Sequence, residues 1–168
     1  SMYRAMAIQD ANGGQDQYEM AIATYEKIIA MHPDNAKAYL RLCETYTQLG
    51  DQRRGQGYCE DAVTIDPNYG TAWRALGQSQ YSQRNYESAI DSFEECVRLE
   101  ASLPAEDQEI ECFYIRGLAH YYLADCQAAW DILTDAVNRR RAVVSDPADL
   151  VMANITGGLE LITNNCSG

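Results

Sequence analysis

The sequence predicts an all-α fold: antiparallel helix pairs stacked in a superhelical array and closed by a C-terminal capping helix. Three observations predict it. The chain repeats at a period of 34 residues, each repeat carries apolar residues three and four apart, and no window alternates as a strand would.

The repeat is read from matched positions. Pro33 and Pro67 lie 34 residues apart, each after a helix-ending segment, and Tyr39 and Trp73 share that spacing, as do Leu42 and Leu76. Ala21, Gly55 and Ala89 form a small-residue series, and Tyr25, Cys59 and Phe93 form a second series. A further copy sits 40 residues on, where Trp73 maps to Phe113, Gly77 to Gly117, Ala89 to Ala129 and Phe93 to Leu133. The extra six residues fall in 101–109, where Pro104 and several acids mark a loop or a fresh helix start. Four units follow, about 2–33, 34–67, 68–101 and 108–142, then a capping helix over 146–163 and a tail over 164–168.

Each element has its own signal. Helices are expected at 3–12 and 17–31, parted by Gly13-Gly14, where Tyr18, Ala21, Ile22, Tyr25, Ile28 and Ile29 keep the apolar face of the second. Tyr39, Leu42, Cys43 and Tyr46 mark the helix 35–49, and Gly50-Asp51 separates it from 52–65. Helices 69–83 and 86–100 are parted at Arg84-Asn85, and 105–123 and 126–142 follow. The last helix, 147–163, is expected to start on Asp146 as cap and Pro147 in the first turn, and to bury Leu150, Val151, Ile155, Leu159 and Ile162. Ser1-Met2 reads as a protease scar before a start or cut point in a longer chain and is set aside.

These residues resemble the tetratricopeptide repeat (TPR), whose signature runs W-x2-L-G-x2-Y, then A-x3-F, then P. The third unit supplies Trp73, Leu76, Gly77, Ala89 and Phe93; the second supplies Tyr39, Leu42, Tyr46 and Pro67. Departures are Gln80 in the tyrosine slot, Arg116 in a leucine slot, and Gly55 and Cys59 in the small and aromatic slots of the second unit. The resemblance covers about residues 2–142 and implies a right-handed superhelical array, and a scaffold or adaptor that binds a peptide or protein segment in a concave groove lined by first helices. The alternative is a structural or regulatory segment packed against a catalytic or sensor domain of its own parent chain.

Composition narrows the function classes. The 168 residues carry a formal charge of −12. Such a field repels phosphate backbones and anionic membranes, so nucleic acid and membrane are not expected partners. There are two histidines and no HExxH, P-loop, GxSxG or paired-cysteine zinc spacing, so neither enzyme, cofactor nor metal is expected. Cys43, Cys59, Cys96, Cys112, Cys126 and Cys166 form no CxxC pair. They are expected to be small buried thiols in a reducing compartment, with a disulfide or metal reading as the alternative, and the matching expectation is a cytoplasmic, monomeric protein.

The candidate contacts are the positions on first helices that the repeat's own packing leaves over: Lys37, Arg41, Glu44, Arg74, Gln78, Tyr81, Tyr114, Leu118, Tyr121 and Tyr122. Arginine and tyrosine anchor interfaces most often, through bidentate bonds and large amphipathic rings. The resemblance also offers a carboxylate clamp for chaperone C-terminal tails. Its positions here hold Met6, Asp10, Arg41, Thr71 and Ala75, and Asp10 would repel a carboxylate, so that partner is disfavoured. Arg139-Arg140-Arg141 suits a solvated helix C-terminus or a dock for an acidic partner.

Overall fold

The structure is a computed structural model; it describes the backbone of residues 2–166 and the side chains of residues 14–166. Among these residues there is no strand. The helices are α1 (Met2–Met31), α2 (Ala36–Gln48), α3 (Gln52–Ile65), α4 (Gly70–Ser82), α5 (Tyr86–Glu100), α6 (Ile110–Tyr122), α7 (Cys126–Val143) and α8 (Leu150–Asn165). A short 3-10 helix, Ala105–Asp107, precedes α6. The all-α expectation holds. The chain divides into two compact units, Ser1–Pro67 with α1–α3 and Asn68–Gly168 with α4–α8.

Three boundaries differ from the sequence reading. The two helices expected on either side of Gly13-Gly14 are one continuous helix of 30 residues. Two adjacent glycines cost a helix only about 2 kcal/mol, and Gly14 has open space around its Cα, so no tight packing forces a turn there. Pro104 starts the 3-10 helix rather than α6, which begins at Ile110. Helix α8 starts on Asp149, whose side chain accepts from the Met152 N–H, while Asp146 and Pro147 form the turn before it. Ile155 and Ile162 are buried as expected, but Leu150 points outward and is 79% exposed.

Within two of the pairs the small and large slots interlock. In α4 and α5, a Cβ at Gly77 would stand 2.7 Å from the Phe93 ring. In α6 and α7, one at Gly117 would stand 3.0 Å from Leu133. The glycine therefore opens a hole in the first helix that the large residue of the second fills. Phe93, Leu133, Ala89 and Ala129 are all fully buried. Gly55 performs a related service in α3, where a Cβ would meet the Thr47 hydroxyl at 2.7 Å and the Cys43 carbonyl at 3.0 Å.

The connections inside the pairs repeat one device. Gly50, Arg84 and Ala124 have left-handed φ values of 84°, 62° and 62°. The next residue's N–H reaches back to a carbonyl five residues earlier: Asp51 to Tyr46, Asn85 to Gln80, Asp125 to His120. These are Schellman closures, and Asp51, Asn85 and Asp125 then cap the following helix through their side chains. Only the first turn uses glycine. Arg84→Gly and Ala124→Gly should each stabilise the protein by about 0.5–1 kcal/mol, since a non-glycine residue carries a penalty there that exceeds glycine's extra unfolded entropy. Urea unfolding midpoints check this; a fall in both variants would contradict the closure geometry.

Candidate functional site

The second unit carries a groove of about 460 Å³ between α4, α6 and α8. Tyr81 comes from α4; Tyr114, Ile115, Leu118 and Tyr122 come from α6. Helix α8 supplies Ala153, Asn154, Gly157, Gly158 and Leu161. No charged side chain lines it. The close seat of α8 depends on Gly158, where a Cβ would lie 2.8 Å from Leu118 and 2.9 Å from Leu133. Gly157, one residue earlier, has nothing within 4 Å of its Cβ direction and leaves the groove wall open.

The tyrosines form one continuous cluster. Tyr86 and Tyr122 stack at 4.9 Å, and Tyr81 meets both rings edge-on at 5.5 and 6.2 Å. Tyr121 adds an edge contact to Tyr122 at 5.2 Å. Burial, reinforced by Tyr122 and Tyr86, pushes the Tyr81 hydroxyl well up from its ordinary value. Burial also raises Tyr114, with Glu111 adding to it against a hydrogen bond with Asn154. Both hydroxyls therefore stay protonated and able to donate at physiological pH.

The sequence-predicted contacts scatter among several roles. Tyr81, Tyr114, Leu118 and Tyr122 do line one groove. Tyr114 is largely core at 8% exposed, whereas Tyr122 is 51% exposed. The Tyr121 hydroxyl accepts from Asn165 at 3.0 Å and is partly covered. Arg74 and Gln78 correct the premise that internal packing leaves them over. The Arg74 guanidinium pairs with Glu109 at 3.1 Å and donates to Gln78 at 2.8 Å, while Thr71 donates to the same Glu109 carboxylate. This ties α4 to the start of α6, so the Arg74 charge is neutralised inside the fold.

In the first unit, Arg41 bonds Glu44 at 2.8 Å. Lys37 and Arg41 border a hollow of about 200 Å³ with Tyr25 and Ile28 of α1. The side chains of Met6 and Asp10 lie outside the described residues. The arginine run is also partly spent. Arg139 pairs with Asp135 and lies over the Phe113 ring at 4.2 Å, and Arg140 makes a two-pronged bond to Asp149 at 2.8 Å on each arm.

Sequence reasoning missed the α8 wall, because that helix lies beyond the repeat register. The small pair Gly157-Gly158 within that helix was the available signal.

The cysteines require a correction. All six are paired: Cys43 with Cys59, Cys96 with Cys112, and Cys126 with Cys166. The bonds run between helices, where residues far from a CxxC spacing are brought together, with Cα atoms 5.2, 6.1 and 6.0 Å apart. Free thiols no longer support a cytoplasmic placement. No described helix is long and apolar enough to cross a membrane.

Comparison with known proteins follows the same lines. The family model for anaphase-promoting complex, cyclosome, subunit 3 matches residues 14–96. Small glutamine-rich tetratricopeptide repeat-containing protein 2 of Saccharomyces cerevisiae is 28% identical over 103 residues, which is 61% of this chain and 28% of that protein. This chain is a tetratricopeptide-repeat protein. Hsp70-Hsp90 organizing protein 1 of Glycine max is 30% identical over 84 residues, half of the TPR chain and 15% of the relative. The chain thus spans less than a third of either relative's length.

Among solved structures, MamA superposes with a TM-score of 0.69 at 19% identity, covering 95% of this TPR chain and 82% of MamA. The first TPR of Spaghetti (RPAP3), bound to the HSP90 peptide SRMEEVD, superposes at 0.59 with 21% identity, covering 68% and 86%. The expectation that a chaperone tail is disfavoured, drawn from the clamp positions, is not borne out by these likenesses.

The Arg140–Asp149 pair seats the start of α8 and so one wall of the groove. Its hydrogen bonds hold the Asp149 carboxyl down at about 2, against an ordinary 3.8. A depressed carboxyl contributes stability that is fully present above the unfolded value and is lost as pH falls from about 4 through about 2. The melting midpoint of the wild type should therefore exceed that of Asp149→Asn at pH 6, and the gap should close toward pH 2. A gap independent of pH would show that the ion pair is not what holds α8.

Proposed function

We propose that this TPR chain is a non-catalytic protein-interaction module that holds an uncharged, apolar segment of a partner protein in the groove between α4, α6 and α8. The observation that carries this reading is the groove itself: tyrosines 81, 114 and 122, Leu118 and Leu161 around an opening with no charged side chain. Tyrosine rings supply large contact area at little entropic cost, and their hydroxyls offer bonds to backbone carbonyls of a bound segment. Ligand charge gains nothing there. The Arg74 charge is matched by Glu109, and the chain's net −12 opposes acidic partners at long range. The contacts proposed are Tyr81, Leu118 and Tyr122 from the original candidates, joined by Asn154, Gly157 and Leu161. Tyr114 and Tyr121 support the wall.

A second reading rests on the comparisons. The RPAP3 structure holds an acidic HSP90 peptide on the same fold, and Lys37 and Arg41 of the first unit are exposed cations on a first helix. An acidic C-terminal segment is the ligand that reading calls for.

A display selection with neutral and acidic peptide libraries, followed by calorimetric titration of the selected peptides and of SRMEEVD, separates the two. Gly157→Leu should fill the groove, weaken a selected neutral peptide by tenfold or more, and leave the melting midpoint unchanged or higher, because leucine improves on glycine within a helix. Tyr122→Ala should cost about 1–2 kcal/mol of the same binding. Peptides insensitive to both changes would place recognition elsewhere. Acidic peptides that respond only to Arg41→Ala would favour the second reading.

A further inference from the structure

The Cys43–Cys59 bond stands in two slots whose occupants the other pairs fill differently. In the repeat register Cys43 corresponds to Gly77 and Gly117, and Cys59 corresponds to Phe93 and Leu133. The spacing is sixteen residues in every case. In α4–α5 and α6–α7 this is the glycine hole filled by a large side chain. In α2–α3 neither the hole nor the filler exists. A disulfide joins the two slots, and both cysteines are essentially inaccessible, at 1% and 0% exposure.

We propose that closing α2 on α3 depends on oxidising Cys43 and Cys59, the covalent bond taking the place of the packing contact that closes the other two pairs. Two reduced thiols supply far less apolar surface than a phenylalanine seated on a glycine, so the reduced pair is loosely held. Gly55 fits this account: with no large filler between the helices, α3 approaches close enough that even a Cβ would touch the Thr47 hydroxyl. Formation of the bond is a two-electron exchange. The thiolate of one cysteine attacks a small-molecule disulfide and releases one thiol from it; the second cysteine's thiolate then attacks the mixed disulfide and releases the other. Two protons leave the cysteines and the oxidant carries away two electrons as two thiols. Cys96–Cys112 links α5 to α6 and Cys126–Cys166 links α7 to α8, so the full set suits a chain matured where thiols are oxidised.

The test uses the full chain refolded in a glutathione redox buffer, with hydrogen exchange read helix by helix. Peptide mapping of the folded wild type should show Cys43 joined to Cys59; finding both free would overturn the proposal. Cys43→Ala with Cys59→Ala should lose tenfold or more of the amide protection across α2 and α3, with α5–α8 unchanged. Cys43→Gly with Cys59→Leu, which copies the Gly117–Leu133 pairing, should recover most of it without any bond at that place. Wild-type protection in the alanine pair, or a glycine–leucine pair no better protected than the alanine pair, would each refute the substitution of bond for packing. If the alanine pair fails to fold anywhere, recovery of the fold by the glycine–leucine pair supports the proposal and its failure overturns it.

Discussion

The contact on which the architecture depends is the one between a missing side chain and a large one, sixteen residues apart. A helix pair with no bond between its helices closes when its first helix offers a depression and its second offers a side chain to occupy it. Gly77 with Phe93 and Gly117 with Leu133 satisfy that condition by shape. Dispersion and apolar burial both fall off steeply with a gap of even half an ångström, so the fit sets the separation of the helices and hence the angle at which the next element can pack. Helix α8 obeys the same rule through Gly158, which lets it sit against Leu118 and Leu133. The groove is a by-product of that seating: three helices held close at one face leave a trough at the other.

Polar side chains then fix what apolar packing leaves free. Glu109 gathers Arg74 and Thr71 from α4 at the foot of α6, and the buried Glu100 carboxylate accepts from the Glu109 N–H. Burial pushes that carboxyl upward while the N–H bond opposes the shift. Gly70 has to be small, since a Cβ would stand 2.7 Å from the Glu100 oxygen. Candidate ligand-binding groups are thereby consumed in holding α4, α5 and α6 in register, which leaves the trough above them neutral.

Much of this was legible in the sequence, and the limits have physical causes. The 34-residue register, lengthened to 40 at its last step, placed Tyr39, Trp73, Phe113 and the small-residue series, because each slot performs one packing task repeatedly. Helix ends without such a task were misplaced. A Cβ at Gly14 would meet nothing within 4 Å, so no packing there demands a break and backbone hydrogen bonding carries α1 through it. Arg74 was identified as a surface cation because its partner, Glu109, lies 35 positions away in the insertion, where no periodicity links them. The groove's α6 residues were found from the repeat, and its α8 residues were not, since α8 has no counterpart earlier in the chain. The disulfides are the instructive miss. For one of them a signal was present: Cys59 shares a series with Phe93, and Cys43 follows Leu42 in the slot that Gly77 fills after Leu76. A search for short cysteine motifs passes over a pairing that only the folded repeat creates.

The three bonds also determine how the chain responds to being pulled by its ends. Each closed segment, 43–59, 96–112 and 126–166, can contribute no more than the width of a cystine to the extended length, whatever happens to the helices within it. The longest would otherwise release on the order of 130 Å of extended chain. Because Cys126 and Cys166 sit at the beginning of α7 and just past the end of α8, tension applied at the C-terminus bypasses both helices and passes directly to the base of α7. The wall of the groove built by α8 is mechanically outside the load path, and it stays seated while segments outside the closed loops extend.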